Sequence, residues 1–291
     1  MRPLVISLLM AIATICTTQA QQPVSYTPAD SLFVVSALAS AARQPEGTCL
    51  PVYFARQLKG RPYVGQTLER FPDREQLIVN TRQLDCTTLV ETATALTLCA
   101  RQSLDTFADY CHMLQTLRYR GGTIDGYASR LHYFSDWIAD NTQRGLVAEV
   151  QTQKPPFTAT QQLSIDYMSR HPQAYPALKR HPEMTARIAR QEQALTGRKY
   201  RYIPKNRVDN SQAMRQAVHD GDIIAITCNK PGLDIAHVGF AVWHNDGLHL
   251  LNASSIHKKV VEEPMTLAQY LKKHPSHTGI RIVRIKKQQN R

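Results

Sequence analysis

The chain has 291 residues, 43% of them hydrophobic, 35 Lys and Arg against 23 Asp and Glu, and a formal charge of +12. That length and apolar content exclude a disordered chain and a small disulfide-held scaffold, and allow one large domain or a core domain with an insertion. The positive charges are scattered rather than blocked, which fits a solvated basic surface and argues against a nucleic-acid partner.

Residues 1–20, "MRPLVISLLMAIATICTTQA", carry one cation at Arg2, an apolar run from Leu4 to Ile15, and small residues at Thr18 and Ala20. This is the layout of a secretory signal peptide cut after Ala20, and the run is shorter than the ~20 residues a membrane span needs. Lipid attachment at Cys16 is disfavoured by the bulk of Ile15. An exported, periplasmic protein with no stable membrane insertion is expected, with residues 21–291 as a single domain.

"DSLFVVSALASAAR", Asp30 to Arg43, reads as an amphipathic helix, and "CLPVYFARQLKG" as a second that ends near Gly60. A loop with Pro62 and Tyr63 follows, then a strand candidate, "EQLIVNTRQ". Residues 87–118 show helical periodicity, with Ser103 and Asp105 marking a fresh start. "GGTIDGYASRLHYFSDWIAD" is a Gly-rich turn followed by a stretch dense in aromatic and charged residues. Residues 154–207 are polar, basic and helical in pattern, with too few apolar positions for a core of their own, and read as a helical insertion. The last third holds strand patterns, "GDIIAITCN", "HVGFAVWH", "LHLLNASS" and "GIRIVRIKK", with "WHNDGLH" as a hairpin. Helices first and an antiparallel sheet afterwards give an α+β fold.

Without Cys16, five cysteines remain: 49, 86, 99, 111 and 228. An odd number in an oxidising compartment leaves at least one thiol unpaired. Cys99, Cys111 and Cys228 lie in apolar patterns and read as core residues, and the sequence leaves open whether Cys49 has a partner. Cys86 lies where an extended segment hands over to a helix. There the free first-turn N–H groups and the helix dipole favour thiolate, and Thr87 and Thr88 can help to cap the end. A nucleophile and a buried junction cysteine both fit this pattern. His237, flanked by Ala236 and Gly239, can serve as a base. If the hairpin turn is the two-residue Asn245–Asp246 kind, Gly239 faces Asn252, and His237 lies diagonal to Asn252 on the same face. A three-residue loop would reverse that parity, and Asn252 could instead cap a turn.

"DCTTLVE", then "LDIAHVGFAV" and "LLNASS", resemble the NlpC-type superfamily of papain-like cell-wall hydrolases. "GRPYVGQTLE", "RYRGGTIDGYASRLHYFSDW" and "DGDIIAI" are similar to its N-acetylmuramoyl-L-alanine amidase-like branch from Gram-negative bacteria. The likeness runs roughly from Ala55 to Ser255. It implies a papain-like fold, with Cys86 as nucleophile, His237 as base and Asn252 as the orienting residue where the wider superfamily often has histidine. It further implies hydrolysis of the bond between N-acetylmuramic acid and L-alanine in peptidoglycan fragments, with anhydro-muropeptides released by cell-wall turnover as the implied substrates. Cleavage of the D-Glu–diamino-acid bond, or an inactive peptidoglycan-binding module, are the rival readings.

Tyr63 matches a family tyrosine near the nucleophile, or is a half-buried loop residue. In "RLHYFSDW", Arg130 can pair with a substrate carboxylate and Trp137 can stack on a sugar, beside His132 and Asp136; a core tryptophan explains the same letters. Asp136 and Asp234 either shape polar contacts or cap turns. No metal or cofactor is expected: no HExxH is present, and "HNDGLH" is read as lacking a supporting acid at ligand spacing.

Overall fold

A computed structural model describes residues 23–287. The signal-peptide reading and Cys16 lie outside the described residues. The chain begins with two helices, α1 (Pro28–Ala41) and α2 (Leu50–Gln57), and then takes a long irregular path to α3 (Cys86–Arg101). "EQLIVNTRQ" does not form a strand. It is bridged at one isolated point, Ser25 with Ile78, with a second bridge, Tyr63 with Leu84, just beyond its end, because no neighbouring strand runs alongside it.

Every residue of α3 from Thr88 to Cys99 is buried. Its small Ala and Thr residues let other elements approach on all sides, so it is the central helix rather than a surface one. Thr106 caps α4 (Phe107–Arg118) through a bond from the Asp109 N–H, so the fresh start falls one residue after Asp105. Then come α5 (Phe134–Gln143) and a short strand, β1 (Val147–Glu149).

Residues 154–207 depart from the expected all-helical insertion. Two antiparallel strands, β2 (Ala159–Gln162) and β3 (Lys199–Pro204), bracket α6 (Tyr167–Arg170), α7 (Pro176–Arg180) and α8 (Glu183–Leu195). The segment also has apolar packing: Leu163, Ile165, Met168, Leu178, Ile188 and Leu195 cluster with Tyr127 and Tyr133. The apolar positions missing for a self-sufficient core come from outside the segment, which periodicity within it could not reveal.

After α9 (Gln212–Ala217) the strands are β4 (Ile223–Cys228), β5 (Ile235–Trp243), β6 (Leu248–Ser254), β7 (Lys259–Glu262) and, after α10 (Leu267–Lys272), β8 (His277–Ile285). The sheet runs β2-β3-β8-β4-β5-β6-β7, with β1 also on β8, and every pairing is antiparallel. β4 is buried throughout: Ile223 and Ala225 face the α3 side, and Ile224 and Ile226 face a second core with Leu267, Leu271 and Ile282. Burial on both faces explains its unbroken apolar run. The architecture is α+β, as expected.

Candidate active site

Asp85 caps α3. Its carboxylate accepts from the Thr88 N–H at 2.8 Å, and the Thr88 hydroxyl returns to the Asp85 N–H at 2.9 Å. This reciprocal box fixes where the helix begins and places Cys86 at its first position, half-buried. The cap is thus Asp85 with Thr88, and Thr87 takes no part in it.

β5 brings the histidine. Its pairing with β4 shifts register between Ile226 and Thr227, so that Ile226 faces His237 but Thr227 faces Ile235, leaving Ala236 as an extra residue. Such a bulge re-aims the side chain beside it. The His237 ring then lies beside Cys86, the two lining one groove.

β6 brings the asparagine, and the turn decides the parity. His244 and Gly247 exchange backbone bonds around Asn245 and Asp246, the two-residue turn. Phe240 pairs with Leu251, and the same register carried one residue further sets Gly239 opposite Asn252. The His237 Nε2–H donates to Asn252 Oδ1 at 2.9 Å, leaving Nδ1 for Cys86. Gly239 has a steric duty here: a Cβ there would sit 2.8 Å from the Leu251 carbonyl oxygen and 3.0 Å from Asn252 Cβ.

One partner escaped the sequence. Asn252, fully buried, donates from Nδ2 to Glu263 Oε1 at 3.0 Å, and Glu263 is itself 2% exposed. A carboxylate can only accept, so this contact settles which end of the amide faces His237. Burial acts against the charged His237 ring, but the Cys86 thiolate beside it, the bond to Asn252 and the Glu263 charge together hold its pKa above the ordinary 6.5. Nothing local in "VVEEPM" distinguishes Glu263 from its neighbour Glu262, which faces Arg56.

Around Cys86 and His237 lies a groove of about 220 Å³, walled by Leu131, His132, Tyr133, Phe134, Leu233 and Asp234, and by Met168 and Tyr175 of the inserted segment. These last two are site residues that the sequence reading missed. His132 is in the wall, its Nε2 bonded to the Tyr127 carbonyl at 2.9 Å; burial and nearby Arg130 push its pKa down to about 3, so the ring is neutral. Tyr63 stands near the thiol, its phenol pushed up first by burial and then by Cys86 and Asp85.

Three of the candidate substrate-binding residues are taken up by the fold itself. Arg130 is 6% exposed and engaged with Glu69 at 2.6 Å and Glu75 at 3.4 Å, so it is not free for a substrate carboxylate. Trp137 is fully buried and stacked on Phe134 at 4.9 Å between ring centroids, a core residue rather than a sugar platform. Asp136 is buried in an ion pair with Arg120. Asp234 borders the groove, but its carboxylate accepts from the Ser135 N–H at 2.6 Å and caps the start of α5. Elsewhere, Cys49, Cys99, Cys111 and Cys228 are free thiols. The discounted "HNDGLH" also differs from expectation: Asp246 is an acid grouped with His244 and His249.

No helix among the described residues is long and apolar enough to cross a membrane. Residues 53–280 match the AmiA-like family, described as N-acetylmuramoyl-L-alanine amidase-like. No curated protein matches the chain. Among solved structures, an N-acetylmuramoyl-L-alanine amidase from Bacteroides uniformis is 41% identical with a TM-score of 0.77, covering 84% of this chain and 100% of its own. A Bacteroides fragilis protein provisionally described as a xylanase is 44% identical with a TM-score of 0.74, covering 79% and 99%. A Legionella pneumophila protein of the DUF1460 family, 23% identical over 88% and 94% with a TM-score of 0.67, shares the fold. The chain therefore belongs to the AmiA-like, N-acetylmuramoyl-L-alanine amidase-like family, and is an enzyme of that amidase class.

Proposed function

We propose that this protein is an exported cysteine amidase with a papain-like fold that cuts the N-acetylmuramoyl–L-alanine bond of peptidoglycan fragments, anhydro-muropeptides in particular. The observation that carries this reading is the placement of Cys86 and His237 in one groove, with His237 bonded in turn to Asn252. Residues 21–291 act as one domain, since β3 of the inserted segment pairs directly with β8 of the main sheet.

Cys86 Sγ attacks the lactyl carbonyl carbon of the muramic acid. The developing oxyanion is met by N–H groups of Cys86 and Thr87, at the turn where a helix offers no internal acceptor, and by Tyr63. The C–N bond breaks as His237 gives its proton to the departing alanine amine. Water then attacks the thioester while His237 takes a proton from it, which releases the muramic carboxylate and restores the thiol. Asn252 holds the imidazole in the tautomer that this exchange needs.

Glycoside hydrolysis uses two carboxyl groups roughly 5–9.5 Å apart. Asp234 is the one acid among the described residues lining the groove, and it is bound to Ser135. Amide cleavage is the chemistry this site supports.

Product identity tests the reading. An anhydro-disaccharide tetrapeptide is to yield free tetrapeptide and free disaccharide by mass spectrometry. Disaccharide that retains L-Ala-D-Glu would instead place the cut at the D-Glu–diamino-acid bond.

A further inference from the structure

The turn that joins β5 to β6 lies at the opposite end of β5 from His237. There His244, Asp246 and His249 each place one donor atom within 4.8 Å of the others. Both histidines are oriented from behind. His249, 5% exposed, approaches the Glu263 carbonyl with Nδ1 at 2.8 Å; a carbonyl only accepts, so Nδ1 carries the hydrogen. Its Nε2 is therefore the atom left to face Asp246 Oδ1, 3.0 Å away. A proton on the ring fills that gap, and a metal ion can take the proton's place there. His244 Nε2 likewise donates to Glu262 Oε1 at 2.6 Å, and Glu262 is held by Arg56 through two contacts of 3.1 Å. In the neutral ring its Nδ1 then carries the lone pair. A histidine whose far nitrogen is tied to a carbonyl or a carboxylate is the usual arrangement behind a metal ligand.

We propose that His244, Asp246 and His249 bind one divalent transition-metal ion of the zinc class, separate from the thiol site. Two imidazoles and a carboxylate suit a borderline ion, with a water in the fourth place. Donors bound at about 2.0–2.1 Å stand about 3.3 Å apart in a tetrahedron, so the turn closes by about 1.5 Å at most. Asp246 and His244 are exposed and can make that movement, whereas His249 is fixed. The ion clips the hairpin that carries His237 and Asn252, and reaches Glu263 through the His249 bond to its carbonyl.

The test uses the metal-stripped chain with Cys86→Ser, which removes the active-site thiol as a competing ligand. Zinc is titrated against a chromophoric chelator, and cobalt(II) supplies a visible spectrum. The expected result is one equivalent bound, cobalt bands of nitrogen and oxygen ligation without a thiolate charge-transfer band, and a Tm raised by about 5 °C at zinc about a hundred-fold above Kd. His244→Ala and Asp246→Ala, both at the exposed turn, are each to lower zinc affinity at least ten-fold with unchanged circular dichroism. Absence of binding, or binding that both variants retain, would overturn the proposal.

Discussion

Asn252 donates from Nδ2 to Glu263 Oε1 at 3.0 Å while its Oδ1 accepts from His237 at 2.9 Å. A neutral amide thus stands between the imidazole and a buried carboxylate. It orients the ring by itself, and the carboxylate acts on the ring at one remove.

Glu263→Gln keeps a side chain that can accept from Asn252 but removes the charge. Because that charge helps to raise the His237 pKa, its loss lowers it. The alkaline limb of the kcat/KM profile against pH is to move to lower pH, and kcat/KM at pH 7 to fall about 10-fold, equivalent to about 1.4 kcal/mol. A profile unmoved on its alkaline side would show that Glu263 is structural only.

Cys86→Ala leaves burial acting on His237 without the thiolate that opposes it. The His237 titration followed by NMR is to shift to lower pH. The linkage has a definite sign. A folded pKa raised above 6.5 contributes stability that is fully present below pH 6.5 and lost as pH rises through the folded value. The variant is to show less of that acid-side stabilisation in urea melts at pH 6 against pH 9.

Gly239→Ala places a methyl group 2.8 Å from the Leu251 carbonyl oxygen and 2.9 Å from Leu250 Cδ1. Overpacking of this kind costs about 1–3 kcal/mol. Urea unfolding is to report that loss, and activity is to fall further than stability explains, since Asn252 Cβ lies on the same side at 3.0 Å.

Arg130→Ala and Tyr175→Ala separate structure from recognition. Removing Arg130 leaves Glu69 and Glu75 without their cation, a change that costs about 3–5 kcal/mol in buried pairs. Tyr175, half-buried in the groove wall, is to raise KM several-fold with Tm nearly unchanged. Equal melting temperatures for the two variants would contradict this assignment.

Much of the site was legible because its determinants are local. The place of Cys86 at a helix start could be read from its neighbours, although the cap is Asp85 with Thr88, and "HNDG" marked a turn whose two-residue length, left open by the sequence, fixes the parity of His237 and Asn252. Long-range partners were not legible. Glu263 reaches Asn252 through the fold, and Met168 and Tyr175 arrive on an insertion whose apolar residues complete their cluster with Tyr127 and Tyr133. Arg130 and Trp137 misled for a related reason: the letters that suit a sugar-peptide ligand also suit a buried ion pair and a stacked core, and only burial separates them.

The most direct measurement is the intact mass of the enzyme quenched in acid during the first turnover of an anhydro-disaccharide tetrapeptide. The account predicts an adduct on Cys86 equal to the disaccharide acyl group without peptide, and none on Cys86→Ala, which is also to lose activity by about 10³-fold or more. An adduct that carries L-Ala-D-Glu, or turnover by Cys86→Ala at the wild-type rate, would contradict it.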